Sequence, residues 1–94
     1  MIGNDIKAVR VAATGDAYAA PGRIVGVHVL YDGVGAGRLT FTDGNGGTTV
    51  LDLDFEATAD SSDVIIPQAG IRCESTIYVS ALTNITAATI FYTG

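Results

Sequence analysis

The sequence predicts an all-β protein: a compact antiparallel β-sandwich or jelly-roll-like barrel of about seven or eight short strands. No window shows the 3.6-residue periodicity of an amphipathic helix. Instead, β-branched residues recur in runs of five to nine, separated by Gly, Asp, Asn or Pro. Eight short strands in 94 residues fit two sheets that share one core, so residues 1–94 are expected to form a single domain.

The first strand is predicted at Ile6–Ala13, after residues 1–5, which carry no strand pattern. Those five residues are expected to form an arm that is flexible or docks on a neighbouring copy. The other strands are predicted at Arg23–Tyr31, Gly37–Thr42, Thr48–Phe55, Asp63–Ile66, Gly70–Cys73, Thr76–Leu82 and Thr86–Tyr92. Pro67 ends the fifth of these eight strands, because proline lacks the N–H that a central ladder requires, and Gly70 completes the turn.

The strand Thr48–Phe55 alternates between apolar and acidic side chains. One face carries Thr49, Leu51, Leu53 and Phe55, and the other carries Asp52, Asp54 and Glu56. This pattern is typical of a strand packed on one side and wet on the other.

The strand Arg23–Tyr31 is apolar on both faces. Strict alternation sets Val25, Val27, Val29 and Tyr31 against Ile24, His28 and Leu30, with Gly26 between them. Such a strand is predicted to be covered on both sides, either by the second sheet and a loop or by another subunit.

Charge is scarce and unevenly distributed. Only 16% of residues are charged, whereas about 25% is typical, so the surface suits being covered by neighbours. Residues 1–42 hold four basic and three acidic residues (+1), and residues 43–94 hold one basic and seven acidic residues (−6). The asymmetry indicates either acidic solvated turns or copies that meet head to tail. A pI near 4.3 argues against nucleic acid as a partner.

The single cysteine, Cys73, excludes an internal disulfide and a cysteine metal cluster. The first residues lack the pattern of a signal peptide, and no stretch reaches the 18 or so apolar residues that span a bilayer. We therefore expect synthesis in a cytoplasm and no membrane partner.

The glycine cluster "GVGAG" at residues 33–37 is predicted to be a turn. A phosphate-binding loop would need a helix after it, but another strand pattern follows. We expect a hairpin loop in which Gly33, Gly35 and Gly37 are free to take positive φ.

The second cluster, "DGNGG" at residues 43–47, is likewise predicted to be a hairpin turn. Asp43 and Asn45 alternate as in a calcium loop, but the later ligand positions and the flanking helices are missing. A weak surface calcium site that uses Asp43, Asn45, Asp52 or Asp54 is the alternative.

Catalytic groups are few. His28 and Cys73 form the single cysteine–histidine combination in the sequence, and each is more simply interpreted as a packed side chain. Asp52 and Asp54 have the spacing of a glycosidase pair but belong to a wet face with nothing to raise one pKa. We expect no enzyme activity, no metal and no cofactor. The seven aromatic residues fall mostly in strands, as core residues do, and glycan binding is kept as an alternative.

Three segments carry a family resemblance: "ATGDAYAAPGRIVGVHVL", "RLTFTDG" and "VIIPQAGIRCESTIYVSALTNITAATIFY". Their shared features are a Pro before Arg-Ile-x-Gly-Val, an Asp-Gly hairpin, an Ile-Pro-x-x-Gly turn and an Asn-x-Thr-x-x-Thr-x-Phe-Tyr ending. Over roughly Lys7 to Tyr92 the chain resembles small virion proteins of tailed phages that infect marine bacteria and cyanobacteria. The resemblance implies a virion structural component and no catalytic residues.

The resulting expectation is a capsid decoration or cement protein, made in the host bacterial cytoplasm and located in the virion. Its expected partners are the major capsid protein or another virion protein, together with further copies of itself. The expected contact residues are Ile2, Asn4, Ile6, Arg10, Arg23, Arg38, Asp52, Asp54 and Arg72. The alternatives are a tail, collar or fibre-associated virion protein, and a host-surface glycan-binding module.

Overall fold

The computed structural model describes residues 6–55, 61–66 and 70–94, and it confirms the all-β prediction. The described residues form nine strands: β1 (Lys7–Val11), β2 (Gly15–Tyr18), β3 (Gly22–Tyr31), β4 (Gly37–Asp43), β5 (Thr49–Phe55), β6 (Ser61–Ile65), β7 (Ile71–Cys73), β8 (Ile77–Thr83) and β9 (Ile85–Thr93). The prediction of seven or eight strands missed β2. That strand reads Gly-Asp-Ala-Tyr and contains no β-branched residue.

The strands form two antiparallel sheets that pack face to face. One sheet has the order β1-β9-β3-β6, and β7 pairs with the first part of β3, beside the stretch that pairs with β6. The other sheet has the order β2-β8-β4-β5. The protein is therefore a β-sandwich.

The pairing order is that of a jelly roll. β1 pairs with β9, β2 with β8, β3 with β6 and β7, and β4 with β5, so each pair encloses the next as in one long hairpin. The pairings β3 with β9 and β4 with β8 then roll this hairpin into the two sheets.

The core lies between the sheets. All but one of its largest fully buried side chains come from the two central strands of each sheet, the exception being Cys73 on β7: Ile24, Val27, Val29, Leu39, Phe41, Ile77, Val79, Cys73 and Ile90. In β5, Leu51, Leu53 and Phe55 pack against this core while Asp52 and Asp54 are exposed, as predicted. Thr49 is exposed, contrary to the prediction, because the ladder shifts register and brings Val50 to the core.

A β-bulge in β3 changes which side chains face the core. Ile24 pairs with Tyr92 but Gly26 pairs with Phe91, so Val25 is an extra residue in the strand. Ile24 therefore joins the buried row of β3, and Val25 joins His28 and Leu30 on the outer side. The strict alternation assumed from the sequence was wrong at Ile24 and Val25.

The two glycine clusters have different roles. Residues 44–48 close the β4–β5 hairpin, as predicted, with a hydrogen bond from the Asp43 N–H to the Thr48 carbonyl at 2.9 Å. Residues 32–36 are not a hairpin, because β3 and β4 lie in different sheets and the loop crosses between them. Within that cluster Gly33 has a positive φ, but Gly35 and Gly37 do not.

Candidate interaction surface

The outer face of the five-stranded sheet, called here the groove face, carries a row of apolar side chains. Residues directly opposite in antiparallel strands point to the same side of a sheet. The register places Ala8 beside Phe91, Phe91 beside Gly26, and Gly26 beside Ile65. This row crosses four strands, in the spatial order β1, β9, β3 and β6.

A groove of about 550 Å³ lies along this row. Gly26 forms its floor, because the side chain that any other residue would place there is missing. A Cβ at Gly26 would lie 3.3 Å from the carbonyl oxygen of Val64 and 3.6 Å from Cδ2 of Phe91, so the Phe91 ring lies beside Gly26 at the border of the groove. Ile65 and Ile6 line the groove and are 83% and 65% exposed. Exposed apolar side chains thus gather in one place instead of being scattered.

The neighbouring row on the same face is polar and charged. It consists of Arg10 on β1, Thr89 on β9, His28 on β3 and Asp63 on β6. His28 Nδ1 lies 2.5 Å from Asp63 Oδ1, and the Asp63 side chain remains 71% exposed. Arg10, at the other end of the row, is exposed, and no carboxylate of the described residues lies within ion-pair distance of it.

Arg23 and Arg72 add positive charge at the end of the groove face where β7 pairs with β3. They are directly opposite each other in the ladder, an arrangement that is unfavourable for like charges. In the described part of the chain, no carboxylate lies within ion-pair distance of either guanidinium. The two guanidinium groups thus add positive charge that no described carboxylate neutralises.

The outer face of the four-stranded sheet carries a different cluster. Arg38 donates to Asp52 through Nε at 3.1 Å and through Nη2 at 2.5 Å, and Thr40 Oγ1 donates to the same carboxylate at 2.7 Å. Asp54 lies 3.8 Å from Arg38 Nε. The hydrogen bonds from Arg38 and then Thr40 hold the pKa of Asp52 below its ordinary value, and the bond to Asp52 raises the pKa of Arg38.

This cluster bears on two of the alternatives weighed from the sequence. The Asp52 carboxylate is already bound by a cation and kept ionised, the opposite of what a glycosidase acid requires. Among the described residues, no group of three or more His, Cys, Asp or Glu side chains is arranged to hold a metal ion.

The cysteine and the histidine do not form a pair. Cys73 is fully buried on the inner side of β7, whereas His28 lies on the outer side of β3. Desolvation of the buried thiol, with a smaller contribution from Asp43, raises the pKa of Cys73 to about 11. Cys73 therefore stays protonated near neutral pH and behaves as a small core side chain.

The predicted contact residues divide between the two outer faces. Ile6, Arg10, Arg23 and Arg72 come together on the groove face. Arg38, Asp52 and Asp54 lie on the opposite side of the sandwich, and Ile2 and Asn4 fall outside the described residues. The sequence analysis missed the residues that make the groove: Val25, Gly26, Ile65 and Phe91. A continuous apolar run around Ile65 was the available signal, but periodicity alone does not show which face is covered.

Comparison with known protein families, curated proteins and solved structures finds no match for this chain. The described residues include no helix long and apolar enough to cross a membrane. The groove face, with its apolar row and with arginines that have no ion-pair partner among the described residues, is the surface from which a function is inferred.

Proposed function

We propose that this protein is a non-enzymatic structural component of a bacteriophage virion, a capsid decoration or cement protein present in many copies. It acts through surface contacts to the major capsid protein or another virion protein and to further copies of itself. The observation that carries the proposal is the groove face, where exposed Ile65 and Ile6 adjoin the Gly26 floor.

The groove suits a protein surface better than a small molecule. Small-molecule sites combine apolar walls with several polar groups that fix the ligand's orientation. Here the lining side chains are apolar except for Asp63, whose carboxylate already faces His28. Apolar side chains bordered by arginines are typical of the centre and rim of a protein interface.

The fold is compatible with this proposal and with its main alternative. Jelly rolls occur in both viral capsid and lectin domains, and one fold serves many functions. A glycan-binding module typically uses a platform of exposed aromatic rings. Tyr31 and Phe41 are buried, and Tyr18 packs against Tyr92 with ring centroids 4.7 Å apart, so these four rings form no such platform. Phe91 borders the groove among aliphatic side chains. These contacts favour the assembly role.

Copy counting by mass spectrometry tests the role in the virion. Particles are purified from the phage that encodes the chain, and its abundance is measured against that of the major capsid protein. We expect hundreds of copies in each particle. About six or twelve copies would indicate the tail or collar instead, since these assemblies have low-order symmetry. Absence from particles would refute the proposal.

A pair of surface variants tests whether the groove face makes the contacts. Ile65→Asp places a charge in the groove, and Val34→Asp places one on the 79% exposed Val34 of the β3–β4 loop. We expect Ile65→Asp to lower the number of copies bound to undecorated particles about tenfold or more, and Val34→Asp to leave it unchanged. Equal binding by both variants would exclude the groove face.

A further inference from the structure

We infer that the groove face is a two-fold dimer interface whose occupant is the groove face of a second copy. The inference rests on the proposed function, because it takes this face to bind protein, and it goes further by naming the partner. Three rows of the sheet, read in register across the strands, carry it.

The apolar row alternates small and large side chains: Ala8, Phe91, Gly26 and Ile65. Consider two such sheets face to face, related by a two-fold axis that runs between them and parallel to the strands. The axis keeps each row at the same position along the strands and reverses the order of the strands. β1 of one copy then faces β6 of the other, and β9 faces β3. Phe91 of each copy then faces the Gly26 floor of the other, and Ile65 faces Ala8.

The next row has charges that match under the same operation. It begins with Arg10 on β1 and ends with Asp63 on β6. Reversal places Arg10 of each copy opposite Asp63 of the other, which makes two symmetric ion pairs. Both side chains are exposed, and Arg10 has no ion-pair partner among the described residues of its own chain.

A third row follows the rule of the first. Leu30, which is exposed, lies between Ala87 on β9 and Ser61 on β6. Reversal places Leu30 over the position of the partner's Ala87, which is small and already buried within its own chain. Size and charge therefore agree on one arrangement, in which every large apolar side chain of the three rows meets a small one. Sheets that pack face to face keep their strands within about 30° of each other, so the central positions of these rows contribute most.

The area of the face indicates the class of interface to expect. The three rows above and the row of Thr93, Arg23 and Arg72 make four outward-facing rows. Four strands about 4.8 Å apart and four rows about 6.8 Å apart give a face of about 500 Å² on each copy. The total of about 1,000 Å² is near the lower limit for a specific interface. Interfaces of this size are typical of weak, reversible complexes, so the dimer is expected to dissociate on dilution.

Sedimentation velocity of the purified chain from about 1 to 500 µM tests the inference directly. We expect a reversible species of twice the 9.6 kDa chain mass. Ile65→Asp should weaken it about tenfold or more, and Val34→Asp should not change it. A wild-type chain that stays monomeric at every concentration would refute the inference, as would oligomers that continue to grow beyond two copies.

Charge reversal tests the geometry. Arg10→Asp gives a face with two acids in this row, and Asp63→Arg gives a face with two cations. Each variant alone should therefore have a dimer dissociation constant about tenfold higher or more. An equal mixture should recover wild-type affinity as a heterodimer, because both ion pairs are then complementary. Recovery requires both variants to be folded, and thermal melting of each alone checks this. A mixture no tighter than its components would exclude the two-fold pairing.

The dimer and the virion role fail in different ways. A monomeric chain that is abundant in particles and loses binding on Ile65→Asp would refute the dimer and leave the proposed function standing. A chain that dimerises, and whose two charge-reversal variants regain affinity when mixed, but that is absent from particles would refute the proposed function and leave the dimer standing.

Discussion

Asp52 shows how a single residue on a wet face acquires a fixed environment. Its carboxylate accepts two hydrogen bonds from Arg38 and one from Thr40. Strand alternation predicted that Asp52 points to solvent, but it could not identify Arg38 as the partner. That contact depends on the register between β4 and β5, which places Thr40 opposite Asp52 and Arg38 opposite Asp54.

The lowered pKa of Asp52 predicts a pH dependence of stability. The ordinary pKa of this carboxyl is 3.8, and hydrogen bonds from Arg38 lower it in the folded protein. The folded state therefore binds this proton less readily than the unfolded chain does. The resulting stability is present above about pH 4 and is lost as the pH falls through the folded-state pKa.

Asp52→Asn is the variant that checks this dependence. We expect the wild type to melt at a higher temperature than Asp52→Asn at pH 7, with a difference that shrinks below about pH 4 and in high salt. Asp54→Asn is the matched control and should show a smaller difference, because Asp54 lies 3.8 Å from Arg38 Nε without a hydrogen bond. A difference that stays constant down to pH 2.5 or so would contradict the assignment.

At the scale of elements, the errors of the sequence analysis come from backbone irregularities. Alternation in Thr49–Phe55 predicted β5 well, because one face is packed and the other is wet. The same rule failed in β3. The bulge at Val25 exchanges the inward and outward side chains at Ile24 and Val25 relative to strict alternation. Both faces of β3 carry apolar residues, so the sequence holds no pattern from which this shift could be detected.

The shape of the groove depends on the β-bulge at Val25 in β3. Without the extra residue at Val25, strict alternation would turn Ile24 outward and Val25 inward. The arginines of the groove face could be selected from the sequence because few charges exist, but the groove itself could not. It forms only when the ladders place Gly26 between Phe91 and Ile65.

Two glycines with similar backbone conformations allow a prediction about the connection into β7. Gly70 and Gly46 have φ of +81° and +79°. A Cβ at Gly46 would meet nothing within 4 Å, whereas a Cβ at Gly70 would collide with the carbonyl oxygen of Ile24 and would lie 2.9 Å from Cγ1 of Val25. Gly46→Ala should cost about 1–2 kcal/mol of the free energy of unfolding, the cost of a left-handed alanine.

Gly70→Ala should cost about 3 kcal/mol or more, because the collision with β3 adds to the same conformational cost. Urea unfolding of both variants measures the two values on one scale. Equal losses would show that the backbone of β3 moves away freely, contrary to its position in the middle of the sheet.

At the scale of the whole molecule, every described ladder joins a strand of the first half to a strand of the second half. β1 to β4 pair with strands from β5 to β9 and never with one another, and the same holds for β5 to β9 among themselves. The nested order follows from the jelly roll. The fold class and eight of the nine described strands could be predicted from the sequence. The partners of each strand required the structure, because pairing is set by long-range packing.

This topology predicts the behaviour of two fragments produced by a cut in the exposed β4–β5 loop. Residues 1–46 and residues 47–94 should each lack strand signal in far-ultraviolet circular dichroism, because neither contains a strand together with its partner. An equimolar mixture should recover the spectrum of the intact chain. A fragment that unfolds cooperatively alone, or a mixture that stays disordered, would contradict the assigned pairing.

The same arrangement has a consequence during translation. Lys7 finds its ladder partner in Tyr92, which is added 85 residues later. At about 5–20 residues per second, the ribosome needs about 4–17 s to cover that distance. β1 therefore leaves the exit tunnel without its partner, and its apolar side chains stay open to aggregation until β9 has been added.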